Sequence, residues 1–259
     1  MNEYWKDRLA ASQKAIGDKN TKEVEKQLIK YYRRAAKRVI ADFESTYDKI
    51  LAAQAAGKQI TPADLYKLDR YWKLQGQMRD ELRRMGEKEV AALTKQFELQ
   101  FFDVYYSYAL DGRTAYSTLD VEGVRQLLSS VWVADGKTYS QRVWDNVSSL
   151  IEMLNEELIN CVASGKKTTD LKKMLQERFN VAYYKADTLV RTEMAHITTE
   201  AAKKRYNDYG IKRVQVWADE DERRCEKCGK LHQKYYNVGE QVPVPNHPNC
   251  RCCIVPVIE

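Results

Sequence analysis

The sequence CEKCGKLHQKYYNVGEQVPVPNHPNCRCC, residues 225–253, concentrates distinctive chemistry near the end of a charged, proline-poor chain. It holds five of the six cysteines, two of the three histidines and three of the five prolines. A C-x-x-C pair lets two thiolates converge on one ion from a tight turn, and a second pair brought close by the fold completes a tetrahedron. The stretch therefore predicts a compact Cys/His knuckle.

The knuckle offers more candidate ligands than a four-coordinate ion can use. The favoured set is Cys225, Cys228, His247 and Cys250, with Cys252 as the substitute. His232 and Cys253 are weaker candidates, and Cys253 begins an apolar run that predicts a core position. A zinc ion here is predicted to be structural, because catalytic zinc keeps an open position and usually has an acid or base beside it.

The sequence leaves two alternatives to zinc open. The cysteines are reduced thiols in a knuckle shaped by its turns, or they form disulfides. The N-terminus has no apolar signal segment and a chain of 259 residues does not need disulfide staples, so reducing conditions are favoured. No window approaches the roughly 18 apolar residues of a membrane helix. We therefore expect a soluble protein that is not secreted by a cleaved signal and has no membrane partner.

Long amphipathic helices are predicted for residues 21–110, because apolar side chains recur there every three or four positions. The first stripe comprises Val24, Leu28, Tyr31, Ala35, Val39, Phe43, Tyr47 and Ile50. Asn20 and Glu23 form a candidate capping pair at its start. A second helix start is predicted at Thr61, which precedes Pro62 and Asp64.

A break in the second stripe is predicted at Gly86, and the apolar pattern resumes directly after it. The stripes together predict an antiparallel helical hairpin or bundle. Residues 111–120, DGRTAYSTLD, are the candidate hinge, since they carry small turn-forming residues and no helical stripe. Further helices are predicted from Asp120, from Tyr139 to Ala163, from Thr168 or Thr169, and from Tyr183 to Asp208.

The chain changes character after Tyr209 and Gly210. Residues 213–217 alternate like a strand, and residues 253–258 predict a second strand that Pro256 confines to a sheet edge. The predicted fold class is α+β and predominantly α-helical. A long helical hairpin or bundle forms the N-terminal region, and the small C-terminal module has a helix, short antiparallel strands and the knuckle. The predicted domains are residues 1–110, 111–182 and 183–259.

Charge and motifs argue against several classes of function. The formal charge of +6 is spread along the chain, so no segment forms a dedicated nucleic-acid arm. The sequence contains no G-x-x-x-x-G-K-[ST] phosphate loop, no G-x-S-x-G elbow and no H-E-x-x-H pair. Zinc deaminases pair P-C-x-x-C with H-x-E, whereas Arg224 precedes Cys225 here and no H-x-E occurs. We therefore predict a protein without catalytic activity.

The order of features near the C-terminus resembles a known family. Arg191, Thr192 and Glu193 lie on a long helix that ends near Gly210. Val216-Trp217-Ala218 then leads through Asp221 to the C-x-x-C pair, a proline-rich loop and a closing H-P-N-C-R-C. This order, over residues 185–257, resembles the phage Mu protein-F-like family of head morphogenesis proteins.

The resemblance implies a minor capsid protein of a tailed bacteriophage with a structural or assembly role. It implies few copies inside the virion head, association with the portal vertex, and a part in DNA packaging or delivery. Expected partners are the portal protein, inner capsid or scaffold proteins and, non-specifically, packaged DNA. The expected location is the interior of the phage head, and the host cytoplasm during assembly.

Three residues of this motif are expected to hold the C-terminal module together. Arg191 and Glu193 are two positions apart on a helix and do not face each other, so each is expected to find a partner outside its own helix. We expect one of them to tie this helix to the Trp217 strand and the knuckle. Trp217 is expected to anchor the core of a module whose small apolar area makes metal binding important for folding.

Two rival functions are weighed against this one. A zinc-module nucleic-acid-binding protein would contact phosphate through Arg223, Arg224, Lys227, Lys230 and Lys234. A zinc-dependent enzyme acting on nucleic acid is disfavoured, because the chain has three histidines and no evident base near the predicted metal.

Overall fold

The structure is a computed structural model that describes residues 3–65, 67, 69–107 and 119–258. Within these ranges the chain forms seven α-helices and three β-strands. The helices are α1 (Glu3–Ala55), α2 (Pro62–Leu65), α3 (Asp69–Tyr106), α4 (Val121–Leu128), α5 (Tyr139–Ser164), α6 (Thr168–Asp208) and α7 (Glu226–Leu231). The strands are β1 (Arg213–Trp217), β2 (Tyr235–Asn237) and β3 (Cys253–Val257). The predicted α+β, predominantly helical class is confirmed.

Contacts within the chain define two compact units. The first consists of Met1–Glu25, Ala92–Tyr139 and Asp187–Glu259, and the second of Lys26–Ala91 and Ser140–Ala186. The three sequence-based domains stay a prediction. The predicted hinge at residues 111–120 lies outside the described residues except for its last two positions. None of the described helices is both long and apolar enough to cross a lipid bilayer.

Helix α1 begins at Glu3, well before the predicted start at Asn20. The predicted capping role of Asn20 is wrong, because this residue is buried inside the helix. Its side-chain amide donates to Gln100 Oε1 at 2.8 Å and to Asp103 Oδ2 at 3.1 Å, both on α3. A residue type that often caps helices therefore makes a helix–helix hydrogen bond here.

The helix start predicted at Thr61 is confirmed. The backbone N–H and the hydroxyl of Thr61 both donate to Asp64 Oδ2, at 3.1 and 2.7 Å. The helix that follows, α2, has only one turn, and the long helix α3 begins at Asp69.

Helix α3 continues through Gly86, so the predicted break at this residue is wrong. An ideal Cβ at Gly86 would lie 2.9 Å from the ring of Trp144 and 3.1 Å from Cγ2 of Val147, both on α5. The glycine therefore allows two helices of the second unit to approach closely and does not end one of them.

Three later helices follow the predicted signals. Asp120 caps α4, since its carboxylate accepts the backbone N–H of Glu122 at 3.0 Å. Helix α5 is followed by Gly165, whose φ of +61° suits a residue just after a helix end. Residues 168–208, predicted as two helices, form the single helix α6, which stops before Gly210.

The second unit is a bundle of helical segments with a buried apolar core. The pairs Tyr32–Glu89 and Arg38–Glu81 join α1 to α3 in antiparallel order, as the sequence predicts. The fully buried side chains of this core include Phe43, Tyr47, Leu82, Leu150, Leu154 and Phe179.

A polar network crosses the centre of this bundle. Tyr32 donates its hydroxyl to Glu89 Oε2 at 3.0 Å. The amide of Asn146 donates to the Tyr32 oxygen at 3.0 Å and to the Ala182 carbonyl at 2.9 Å. Glu89 is fully buried, and its Oε1 has no hydrogen-bond partner among the described residues.

The first unit contains a three-stranded antiparallel sheet in the order β2, β1, β3. The two predicted strands are confirmed, and Pro256 lies on an edge strand as expected. The short elements α7 and β2, inside the knuckle sequence, are additions to the prediction. Leu9 and Ala10 of α1 pack against Trp217, Cys253 and Val255 of the sheet.

Candidate metal centre

The first half of the knuckle is the start of helix α7. Cys225 is the N-cap residue, and its extended backbone lets the sulfur accept the backbone N–H of Cys228 at 3.4 Å. This arrangement brings the two thiols of the C-x-x-C pair together on one helical turn. Cys225 is exposed, whereas Cys228 is buried.

The second half of the knuckle is a tight turn formed by residues 247–250. The backbone N–H of Cys250 donates to the His247 carbonyl at 3.2 Å, which closes the turn. Pro248 occupies its second position, and Asn249 the third with a φ of +59°. Proline followed by a residue with positive φ is the signature of a type II turn. The turn therefore brings His247 and Cys250, its first and last residues, close together.

The two halves meet through short ligand-to-ligand distances. His247 Nε2 lies 3.3 Å from the Cys225 sulfur and 3.0 Å from the Cys228 sulfur, and the Cys228 and Cys250 sulfurs are 3.8 Å apart. Bond lengths around tetrahedral zinc imply ligand separations of about 3.5 to 3.8 Å. The distance between the Cys228 and Cys250 sulfurs lies in this range, and the two nitrogen–sulfur distances are shorter, so His247 would move slightly away from Cys225 and Cys228 to share an ion with them.

The candidate metal ligands form two overlapping groups among the described residues. Cys225, Cys228 and His247 make up one group, and Cys228, Cys250 and Cys252 make up the other. Within each group all ligand atoms lie within 4.8 Å of one another. The favoured ligands and the substitute Cys252 are thus all brought to this site, with Cys228 common to both groups. Which four of them bind an ion stays a prediction.

The ring of His247 is held in the orientation that a metal ligand requires. The carbonyl of Pro248 lies 2.8 Å from Nδ1 and can only accept a hydrogen bond, so Nδ1 carries the hydrogen. In the neutral ring this tautomer leaves the lone pair of Nε2 directed toward the cysteines. The same hydrogen bond raises the pKa of His247, because it stabilises the charged ring.

Proximity of the thiols separates their pKa values. Hydrogen bonding from Cys252 lowers the pKa of Cys250 to about 5, and the reciprocal effect raises that of Cys252. Burial raises the pKa of Cys228 to about 12, while the backbone N–H of Cys228 lowers the pKa of Cys225. The cluster therefore stabilises thiolates at Cys225 and Cys250 without a metal, and a bound cation would favour deprotonation of the others.

Cys253 and His232, the weaker candidate ligands of the knuckle sequence, make other contacts. Cys253 is buried in β3, where burial raises its pKa to about 12 and its thiol donates to the Trp217 carbonyl at 3.7 Å. His232 accepts the backbone N–H of Ala218 at Nδ1, 3.2 Å away. Neither residue belongs to the two groups of ligand atoms.

An arginine clamp holds the loop before the C-x-x-C pair. Both terminal nitrogens of Arg251 contact the carboxylate of Asp221 at 2.6 Å, and Nη1 also lies 2.9 Å from Asp219 Oδ2. This bidentate pairing keeps the pKa of Asp221 below its usual value. Arg251 follows Cys250 directly, so the clamp links the second half of the knuckle to the loop that leads into the first.

Comparison with known proteins supports the resemblance seen in the sequence. Residues 152–255, about two fifths of the chain, match the family model described as Phage Mu protein F like protein. This region is similar to the Phage Mu protein F like family. The match begins earlier than residue 185 and includes the C-terminal part of α5, all of α6, and the sheet with its knuckle. The family indicates a protein related to the structure or morphogenesis of the phage head.

Searches of curated proteins and of solved structures found no match.

In the Arg-Thr-Glu motif of the Phage Mu F-like region, Arg191 and Glu193 each have a partner outside α6, as expected. Arg191 pairs with Asp187 on its own helix at 3.0 Å and with Glu25 on α1. Glu193 is buried and accepts the indole N–H of Trp132 at 2.9 Å. Trp217 is buried as predicted, and its indole N–H donates to Asp7 at 2.9 Å.

The middle residue of the motif contacts the knuckle directly. The hydroxyl oxygen of Thr192 accepts the backbone N–H of Asn249 at 3.2 Å. The sequence predicts such a tie between this helix and the knuckle, but at Arg191 or Glu193, the two neighbours of Thr192. A helical threonine gives no signal in the sequence for such a contact. The Pro248-Asn249 pair indicates a turn, but a turn signal does not identify the residue that contacts it.

The five cations proposed to contact phosphate lie around the Phage Mu F-like knuckle. Three of them have an acidic partner, in the pairs Arg223–Asp221, Arg224–Glu220 and Lys230–Glu226. Lys227 and Lys234 are exposed. Pairing with neighbouring acids lowers the net positive field of this surface, so binding to phosphate stays a prediction.

Proposed function

We propose that this chain is a minor capsid protein of a tailed bacteriophage, with a structural and assembly role and no catalysis. It acts inside the head near the portal, assists DNA packaging or delivery, and is present in the host cytoplasm during assembly. The observation that carries the proposal is the family match over residues 152–255, a region that contains both the Arg-Thr-Glu helix and the knuckle.

The proposed partners are the portal protein and the inner capsid or scaffold proteins, with non-specific contact to packaged DNA. The long helices α1 and α3 supply extended surfaces for such contacts. Exposed aromatic side chains on these helices include Tyr4, Trp5, Trp72 and Tyr106. Aromatic residues are enriched in protein interfaces, which supports docking onto another protein.

The proposed role of the knuckle is to bind one structural zinc ion. Its donor atoms are thiolates and an imidazole, the set that structural zinc sites use, and enough of them are present to close a four-coordinate shell. A closed shell leaves no open position for substrate or water. When bound, zinc would join α7 to the turn at residues 247–250 and so stabilise the small sheet module.

The assembly role is tested by locating the protein in particles. Virions from the phage that encodes the chain would be purified on a density gradient, and proteins would be quantified by mass spectrometry. We expect a few copies per particle, retained after nuclease and protease treatment of intact heads. A protein abundant in lysates but missing from purified particles would overturn the proposal.

The metal is tested by elemental analysis of the purified protein and of two variants, Cys225→Ser and Cys250→Ser. We expect about one zinc per wild-type chain and loss of the metal in both variants. Wild-type protein prepared under reducing conditions and free of zinc would mean that turns alone shape the knuckle.

A further inference from the structure

The turn that carries His247 and Cys250 depends on an unusual backbone conformation. Asn249 has a φ of +59°, in the left-handed region that residues other than glycine seldom adopt. Asparagine tolerates this conformation better than most residues, but the conformation still has to be held by its surroundings. If Asn249 left this region, the two candidate ligands at the ends of the turn would move apart.

The contact that holds this backbone comes from α6. Thr192 donates its hydroxyl hydrogen to the Thr188 carbonyl at 2.7 Å. Its hydrogen is therefore committed, and the oxygen lone pairs are free to accept the Asn249 N–H at 3.2 Å. The hydroxyl belongs to a long helix, so it offers a rigid hydrogen-bond acceptor to the surface turn at residues 247–250.

We propose that Thr192 is a positioning residue for the metal centre, which holds the 247–250 turn in the shape that directs His247 and Cys250 toward a shared ion. Thr192 does not itself bind the metal. It acts through the backbone of Asn249, as partners outside the ligand shell orient ligands in other metal sites. This inference rests on the proposed zinc site and gives the central residue of the Arg-Thr-Glu motif a specific task.

The test compares the rate of zinc release to a chromophoric chelator in the full-length wild type and three variants. Thr192→Val keeps the shape of the side chain but removes the acceptor, and we expect release about 10-fold faster or more. Thr192→Ser keeps the hydroxyl and should release zinc at about the wild-type rate, within roughly 2-fold. Equal release rates for Thr192→Val and wild type would overturn the inference.

A matched control separates positioning from a general effect on the helix. Thr199 lies on the same helix, is buried, and donates its hydroxyl to the Ala195 carbonyl at 3.1 Å. Thr199→Val removes the equivalent bond within the helix and should leave zinc release unchanged. If Thr199→Val and Thr192→Val speed release equally, Thr192 serves only the helix and the inference is wrong.

A measurement on the wild type keeps the inference testable even if Thr192→Val does not fold. The Asn249 amide should be protected from hydrogen exchange in the zinc-loaded protein, because it is bonded to Thr192. Rapid exchange of this amide in a protein that holds zinc would overturn the inference alone. A wild-type protein that binds no zinc would instead overturn the proposed metal site on which it rests.

Discussion

The two units of the chain bury polar groups in different ways. The sheet module of the first unit consists of strands β1 to β3 and the knuckle. Its thiols and an imidazole lie within 4.8 Å of one another, so a single cation would neutralise the charge of several thiolates. In the helical second unit, the carboxyl group of Glu89 is buried and accepts one hydrogen bond among the described residues, from the hydroxyl of Tyr32. A buried polar cluster that a cation neutralises therefore adds stability, whereas a buried single carboxyl group reduces stability when it ionises.

The apolar cores of the two units also differ, in the amount of apolar surface that they can bury. The second unit buries large side chains at helical spacing along several long segments. The sheet module has strands of five, three and five residues. Small apolar cores contribute little stability, and natural proteins of this kind often add a metal. The helical unit should therefore tolerate the loss of polar groups, whereas the module should not.

The largest expected effect comes from Cys228→Ala. Cys228 belongs to both groups of ligand atoms, so its loss removes a donor from either possible shell. We expect zinc to be absent from the purified variant and the free energy of unfolding of the module to fall by about 5 kcal/mol or more. Elemental analysis and calorimetry would measure the two effects.

Cys253→Ala is the matched control for this change. Cys253 is also buried, but its thiol lies in β3 outside the two ligand groups. We expect this variant to retain zinc and to lose only about 1 to 2 kcal/mol of stability through lost packing. Similar behaviour of the two alanine variants would mean that Cys228 contributes packing alone.

The next effect tests the buried carboxyl group of the helical unit. Burial raises the pKa of Glu89 to about 7 in the folded protein, above its ordinary value of 4.5. The folded state therefore binds this proton more tightly than the unfolded state does. Stability from this group is complete below pH 4.5, declines as the pH rises toward 7, and is constant at its lower value above that.

Glu89→Gln removes this titration and keeps an oxygen to accept from Tyr32. We expect the variant to be more stable than wild type at pH 8 by up to about 3 kcal/mol, and nearly equal to it at pH 4. Melting temperatures across this pH range would measure the difference. A difference that does not change with pH would show that folding does not raise the pKa of Glu89.

A smaller effect distinguishes two glycines on α3. An alanine Cβ at Gly86 would meet the Trp144 ring at 2.9 Å, whereas at Gly76 no atom lies within 4 Å among the described residues. We expect Gly86→Ala to destabilise the bundle by about 2 kcal/mol through overpacking. Gly76→Ala should stabilise it by up to about 1 kcal/mol, since alanine is the better helix former. Equal effects on chemical denaturation would mean that the helices can move apart at Gly86.

The sequence predicts the local features of the helices but not their distant contacts. Apolar stripes and caps predict most helices, because periodicity and local hydrogen bonds are written into neighbouring positions. The errors at Asn20 and Gly86 have one cause. Both residues act on a distant helix, through a hydrogen bond to Gln100 and through contact with Trp144, and no local pattern records such partners.

The knuckle follows the same rule. C-x-x-C spacing and the His247 to Cys252 cluster predict that the thiols converge, because those ligands lie within two short segments. The division into two groups that share Cys228 depends on how the segments meet, so it required the structure. The Thr192 contact spans 57 residues and could not be read from spacing.

The smallest expected effect tests whether the sheet core and the knuckle are energetically separate. Trp217→Phe keeps an aromatic ring against Leu9 and Ala10 but removes the N–H that donates to Asp7. Because Asp7 is exposed and water can replace the lost donor, we expect a cost of only about 1 kcal/mol, with full zinc content. Asp7→Asn retains the acceptor oxygen and should change stability by less. If Trp217→Phe loses zinc, the aromatic core supports the metal ligands directly. The stability of the module then depends on its packing as much as on its polar cluster.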